Sequence, residues 1–229
     1  EDASHAIGGR YKDSFIGSCK YSDITVFSFH PVKIITTAEG GMITTNKENI
    51  YRKILDLRSH GITKEPDRFT IKSKGLWHYE QLDLGFNYRL TDIQAALGIS
   101  QLRRLDSIVK ERNRQLEIYK DLLKDLPLKF LRIPLGVYSS VHLAVVILND
   151  SNVDKHSLIF NHLRKSNIGV QLHYIPVHTQ PYYKLKGFKE DDFPNAIRYS
   201  HSAISIPIFP GLTYSEQVYI YKCLNEVLN

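Results

Sequence analysis

A lysine set among apolar residues is the part of this sequence best suited to covalent chemistry. Lys33 lies in TVFSFHPVKIITTAEGGMITT, residues 25–45, with Val32, Ile34 and Ile35 around it. Desolvation disfavours an ammonium, so a lysine in such company has a lowered pKa and presents more of the nucleophilic free amine. The same residue on an open turn is an ordinary solvated cation. Asp2 and His5 stand in the opening EDASHA, where an aspartate can equally serve as a turn or cap residue. Ser28 alternates with Phe27 and Phe29 and should point opposite to them, free for a ligand or bonded to backbone. Asn87 and Arg89 precede the expected N-terminus of a helix, a natural place for anions. His173, Tyr174 and His178 fall in the proline-spaced loop HYIPVHTQPYY, which reads either as a ligand wall or as a packed tyrosine-rich loop.

The elements that must hold these residues follow from periodicity. Residues 25–29 and 42–45 read as strands, so Lys33 is expected between two buried strands. Asn46 is placed to cap a helix over 47–59 with Ile50, Ile54 and Leu57 as its apolar stripe. Residues 64–74 show no period and read as a mobile surface loop. Thr91 with Gln94 fits a capping box that starts one long helix reaching about Leu126. Beyond it, 141–148 and 170–173 read as strands, 155–166 and 195–204 as helices, and Thr213 with Glu216 caps a last helix. Strands alternating with helices make an α/β protein.

Composition narrows the function classes. The 229 residues are 42% hydrophobic and 24% charged, an ordinary globular balance, and no apolar run is long enough to cross a bilayer. No membrane role is expected, and the chain is expected in the cytoplasm. Its two cysteines and ten histidines form no metal-ligand spacing, so no metal is expected. The net charge of +6 suits an anionic partner, yet basic and acidic residues are interspersed and no nucleic-acid-binding signature is present.

The phrase FSFHPVK followed by EGGM resembles the cofactor-lysine segment of the DegT/DnrJ/EryC1/StrS sugar aminotransferases, which use pyridoxal phosphate. RSHGIT at 58–63, YEQLDLGFNYRLTDIQAALGISQL at 79–102, LHYIPVHTQPYY at 172–183 and IPIFPGLT at 206–213 are similar, in order, to the branch that aminates a UDP-linked 4-keto-6-deoxy sugar on the route to pseudaminic acid. The resemblance implies the pyridoxal-phosphate-dependent fold type I, the aspartate-aminotransferase type. Residues 1–105 would be the second half of the large domain, 106–126 a linking helix and 127–229 the small C-terminal α/β domain.

It also implies roles. Lys33 would hold the cofactor as a Schiff base, Asp2 would keep the pyridine nitrogen protonated, and His5 would sit near the ring. Ser28 would bind the cofactor phosphate, as would Asn87 from the neighbouring subunit of a homodimer with shared sites. Arg89, His173, Tyr174 and His178 are candidate substrate contacts, and Trp77, His78 and Tyr79 could line a sugar site or simply pack. Glutamate would donate the amino group to the 4-keto carbon of a UDP-linked 2-acetamido-2,6-dideoxy sugar. A long N-terminal portion of the family is expected to precede Glu1, and without it the chain is expected to be inactive. The alternatives are a truncated, non-catalytic chain of this fold and a dehydratase of the same fold, which carries histidine where Lys33 stands.

Overall fold

Thr25 and Phe27 are buried while Val26 between them is exposed, the period of two that a half-covered strand requires. In the computed structural model, which describes residues 1–150 and 152–229, this strand is β1, Thr25–Ser28. It pairs antiparallel with β2, Gly41–Thr44, so that Ser28 faces Gly41 and Thr25 faces Thr44. On the other side of β1, the Ala3 N–H bonds to the Val26 carbonyl at 2.8 Å and the Val26 N–H to the Glu1 carbonyl at 2.9 Å. Of the two strands that flank Lys33, β1 is covered on one face and β2 is open. Met42 and Ile43 of β2 are 50% and 45% exposed, because β2 pairs with β1 alone among the described residues.

The chain divides into two compact units, Glu1–Asp106 and Ser107–Asn229. In the first, α1 spans Glu48–Arg58 as expected, but Asn46 does not cap it. Its amide donates to the Ser18 carbonyl at 2.8 Å, and the Thr45 hydroxyl takes the Lys47 N–H at 3.1 Å instead. The 64–74 stretch is anchored rather than loose. The Glu80 carboxylate accepts the Thr70 N–H (2.7 Å), the Thr70 hydroxyl (2.7 Å) and the Ile71 N–H (3.1 Å). Those bonds, the Thr70 N–H first, push its pKa down to about 2.

The expected single helix from Thr91 is two. Helix α2, Asp92–Leu102, starts at the capping box: Thr91 Oγ1 accepts the Gln94 N–H at 3.3 Å and Gln94 Oε1 accepts the Thr91 N–H at 3.0 Å. At its end the Arg104 N–H bonds to the Gln101 carbonyl at 3.0 Å, a tightened turn that closes the helix before α3 begins at Leu105. The break falls where the first unit passes into the second.

In the second unit α3, Leu105–Leu122, lies in a core with β3, Leu128–Phe130, β4, Ala144–Leu148, and α4, Val153–Lys165. Short helix α5, Pro194–Ser200, leads to β5, Ala203–Ile206, and α6, Tyr214–Leu228, ends the chain behind its Thr213–Glu216 capping box. The sheet runs β5, β4, β3, antiparallel throughout. The α3 stripe of Val109, Leu116 and Tyr119 is buried, as its spacing requires. The strand expected over 141–148 starts only at Ala144, because Val141 has φ of 50°, outside the strand region. The one expected over 170–173 reduces to a single bridge, Gln171 to Ser205.

Arg112 is buried without a carboxylate partner among the described residues and donates to the carbonyls of Val141 (3.3 Å), His142 (3.2 Å) and Ile208 (3.1 Å). It therefore ties α3 to the loops on either side of β4 and β5. Leu163 on α4 is completely buried, whereas Ile93 on α2 is 84% exposed. Leu163→Ala is expected to lower stability by about 2–5 kcal/mol through lost contacts and a residual cavity, measured by urea denaturation. Ile93→Ala should stay within about 0.5 kcal/mol.

Candidate active site

The loop between β1 and β2 is held by its own backbone and by α2. The Phe29 N–H bonds to the Gly40 carbonyl at 2.8 Å, and the Phe29 carbonyl accepts the Thr37 N–H and the Thr36 hydroxyl, both at 3.0 Å. Ile34, Ile35 and Thr37 are buried and pin the loop inward. A Cβ at Gly98 of α2 would stand 2.8 Å from the Thr37 methyl, so a glycine is what lets the helix approach. Gln94 then spends its side-chain amide on the Glu39 carbonyl, at 2.9 Å. Neither contact was visible as a site feature in the sequence; Gly98 inside a helical pattern was its only signal.

On this loop Lys33 is partly buried, beside buried Ile34 and Ile35, while Val32 is 65% exposed and gives it no apolar cover. Among the described residues its Nζ has no hydrogen-bond or ion-pair partner. Burial lowers its pKa below the ordinary lysine value, and the charge of Asp2 opposes that shift. Asp2 is fixed opposite Val26 of β1. Its Oδ1 accepts the Ser4 N–H at 3.0 Å, and the Ser4 bonds, with the nearby His5 and Lys33, hold its carboxyl below the usual range. Asp2, His5 and Lys33 thus form one electrostatic group. Ser28 ends β1 where the loop begins, partly exposed between buried Phe27 and Phe29. Its oxygen lies 3.5 Å from the His30 N–H as acceptor, which leaves the hydroxyl hydrogen for another acceptor.

Asn87 and Arg89 are exposed on a strip where Asn87 bridges Ser59 and the Tyr88 N–H bonds to the Arg58 carbonyl at 2.9 Å. No hydrogen bond or ion pair among the described residues joins either to Lys33. Trp77, His78 and Tyr79 line a small cleft of about 310 Å³ with Ile62, Lys64 and Leu76.

In the second unit, His173 and Tyr174 line a cleft of about 730 Å³ between α4 and the loop that follows it, together with Phe160, Asn161 and Gln180. His173 Nδ1 is 2.8 Å from the Ser205 hydroxyl, and Tyr174 is 59% exposed. His178 is not among the residues lining that cleft: it is buried, its Nε2 is 3.1 Å from the Glu190 carbonyl, and its ring packs on Phe193. No group of three His, Cys, Asp or Glu able to hold a metal occurs among the described residues, and no helix there is long and apolar enough to cross a membrane.

The arrangement combines a nucleophilic amine, an ionised carboxylate and a hydroxyl around one loop. Known proteins share both the fold and the sequence. A transaminase of Campylobacter jejuni named for UDP-4-amino-4,6-dideoxy-N-acetyl-beta-L-altrosamine is 36% identical over 100% of this chain and 58% of its own length. The putative sugar aminotransferase Spr1654 of Streptococcus pneumoniae, solved in its PMP form, superposes with a TM-score of 0.90 and 30% identity over 99% of this chain and 57% of that one. Helicobacter pylori PseC, an aminotransferase of pseudoaminic acid biosynthesis, superposes at 0.88 with 30% identity over 99% of this chain and 58% of its own. The chain therefore spans a little under three fifths of the length of such relatives, in the fold type I of pyridoxal-phosphate-dependent sugar aminotransferases. Residues 1–225 match the DegT/DnrJ/EryC1/StrS aminotransferase family, and the chain belongs to that family.

Proposed function

We propose that this chain carries the cofactor lysine of an aminotransferase that moves an amino group from glutamate to the 4-keto carbon of a UDP-linked 2-acetamido-2,6-dideoxy sugar. The observation that carries the reading is the Lys33 amine, partly buried, unpartnered among the described residues and lowered in pKa, beside an ionised Asp2. The residues fit pyridoxal phosphate: an amine for its aldehyde, a carboxylate for its pyridine nitrogen and the Ser28 hydroxyl for its phosphate. Bound there, the cofactor supplies an aldehyde that condenses with amines and a ring that takes up negative charge when a C–H bond breaks.

The work of the chain's own residues follows from their chemistry. Lys33 would hold the cofactor, and its amine is the group on this chain suited to take up the amino donor's α-hydrogen and to return a proton during amination of the keto sugar. Asp2 keeps the ring nitrogen protonated, and His5 lies beside Asp2. Ser28 anchors the phosphate, with Asn87 of a second copy completing the anchor in a homodimer. Arg89, His173 and Tyr174 are the exposed groups suited to the sugar nucleotide or donor carboxylate, whereas His178 supports the loop from beneath. The Campylobacter relative's name supports a nucleotide-sugar substrate, and the family supports the reaction class.

Three outcomes test this. Because burial lowers the Lys33 pKa and Asp2 raises it, Lys33 should become reactive toward acetic anhydride at lower pH than a free lysine peptide, and at lower pH still in Asp2→Asn. A midpoint at or above the free peptide's would contradict the assignment. In glutamate-dependent amination of the UDP-linked keto sugar by the full-length enzyme, Asp2→Asn should lower kcat by roughly a hundredfold with little change in KM. Finally, mixing Asn87→Ala with Lys33→Ala subunits of the full-length enzyme should recover activity that neither has alone, since one of the two sites in a mixed dimer is then intact; no recovery despite proven subunit exchange would remove Asn87 from the site.

A further inference from the structure

His30 opens the turn that presents Lys33, and four contacts meet on it. Its Nδ1 accepts the Val32 N–H at 3.3 Å, and its carbonyl accepts the Lys33 N–H at 2.9 Å. Its own N–H points to Ser28 Oγ at 3.5 Å, and its Nε2 lies 3.8 Å from the Glu39 carboxylate. With Nδ1 accepting, the neutral ring carries its hydrogen on Nε2, toward that carboxylate. The Glu39 backbone is fixed, since its carbonyl accepts both Gln94 Nε2 at 2.9 Å and Thr37 Oγ1 at 2.7 Å. The His30 side chain is 47% exposed, so hydrogen bonds rather than packing define its place.

A side-chain acceptor that takes the N–H two residues on is the pattern by which Asn and Asp close turns. Here imidazole does it, and Pro31 between the two partners fixes the remaining φ. A lysine side chain has several free torsions, so its amine is delivered reproducibly only if the backbone beneath it is fixed.

We propose that His30 is a positioning residue: by closing the 30–33 turn through Nδ1, with Nε2 facing Glu39, it delivers the Lys33 amine to the cofactor aldehyde. The proposal rests on the reading of Lys33 as the attachment residue. His30 touches neither substrate nor cofactor in this role; it acts through the turn.

The test uses His30→Ala, which removes the acceptor, and His30→Asn, whose Oδ1 can take the Val32 N–H. Each chain is pulsed with pyridoxal phosphate, quenched with borohydride, and the Lys33 peptide quantified by mass spectrometry. A parallel sample is methylated with formaldehyde and cyanoborohydride, with the remaining lysines as internal standards. His30→Ala should slow capture at Lys33 by roughly tenfold, leave the other lysines and the melting temperature unchanged, and be restored by Asn to within about twofold. Capture by His30→Ala at the native rate, or an Asn variant as slow as Ala, overturns the proposal. If the native chain itself captures nothing at Lys33, the attachment reading fails separately, and methylation decides the turn. A Lys33 methylation rate altered by Ala and restored by Asn supports a positioning role, and a rate equal in all three chains overturns it.

Discussion

The Lys33 ammonium is pulled two ways, by burial that favours the neutral amine and by the Asp2 carboxylate that favours the cation. Burial alone would lower the lysine pKa further, whereas a close ion pair would hold it as a cation with little nucleophilic amine. Asp2 acts through space, without a direct ion pair to Nζ, and its Oδ1 accepts the Ser4 N–H. The amine and the carboxylate can therefore address different atoms of one planar ligand, which a bonded pair could not do.

Two backbone arrangements hold the two groups at that separation. Parallel bonding of residues 1–3 along β1 fixes Asp2, and the bonds from Phe29 to Gly40 and Thr37 fix the loop on the other side. Helix α2 backs the loop at Gly98 and Gln94, so its rigidity comes from tertiary contact as well as from the hairpin itself. Substituting Gly98 would press on Thr37, which is 2% exposed and has no room to retreat. The same stretch that starts a helix thus also determines how firmly the lysine loop is seated.

Much of this was legible because local chemistry dictated it. Thr91 with Gln94 and Thr213 with Glu216 specify their helix starts from side-chain hydrogen bonds alone, and both formed. The alternation of Phe27, Ser28 and Phe29 placed the serine on the open side, and the apolar stripe of α3 was right although its extent was not. What failed depended on tertiary partners. Continuous helical spacing across Arg103 gave no sign that α2 and α3 would pack with different units. Val32 looked like apolar cover for Lys33, yet the turn through Pro31 leaves it outside. His178 looked like a ligand-wall residue, but an i-to-distant bond to the Glu190 carbonyl turns it inward. His30 carried no signal as a turn-closing acceptor, because that role is read from Asn and Asp rather than from histidine.

One lysine, Lys33, chosen by its surroundings, is the proposed attachment point for pyridoxal phosphate. Equilibrating the chain with limiting cofactor, reducing with borohydride and mapping the modified peptides tests it most directly. The adduct is expected on the peptide containing Lys33, with a visible absorbance band that reduction abolishes and that Lys33→Ala lacks. Adducts spread over the exposed lysines in proportion to their accessibility, with Lys33 no more modified than the rest, would contradict it.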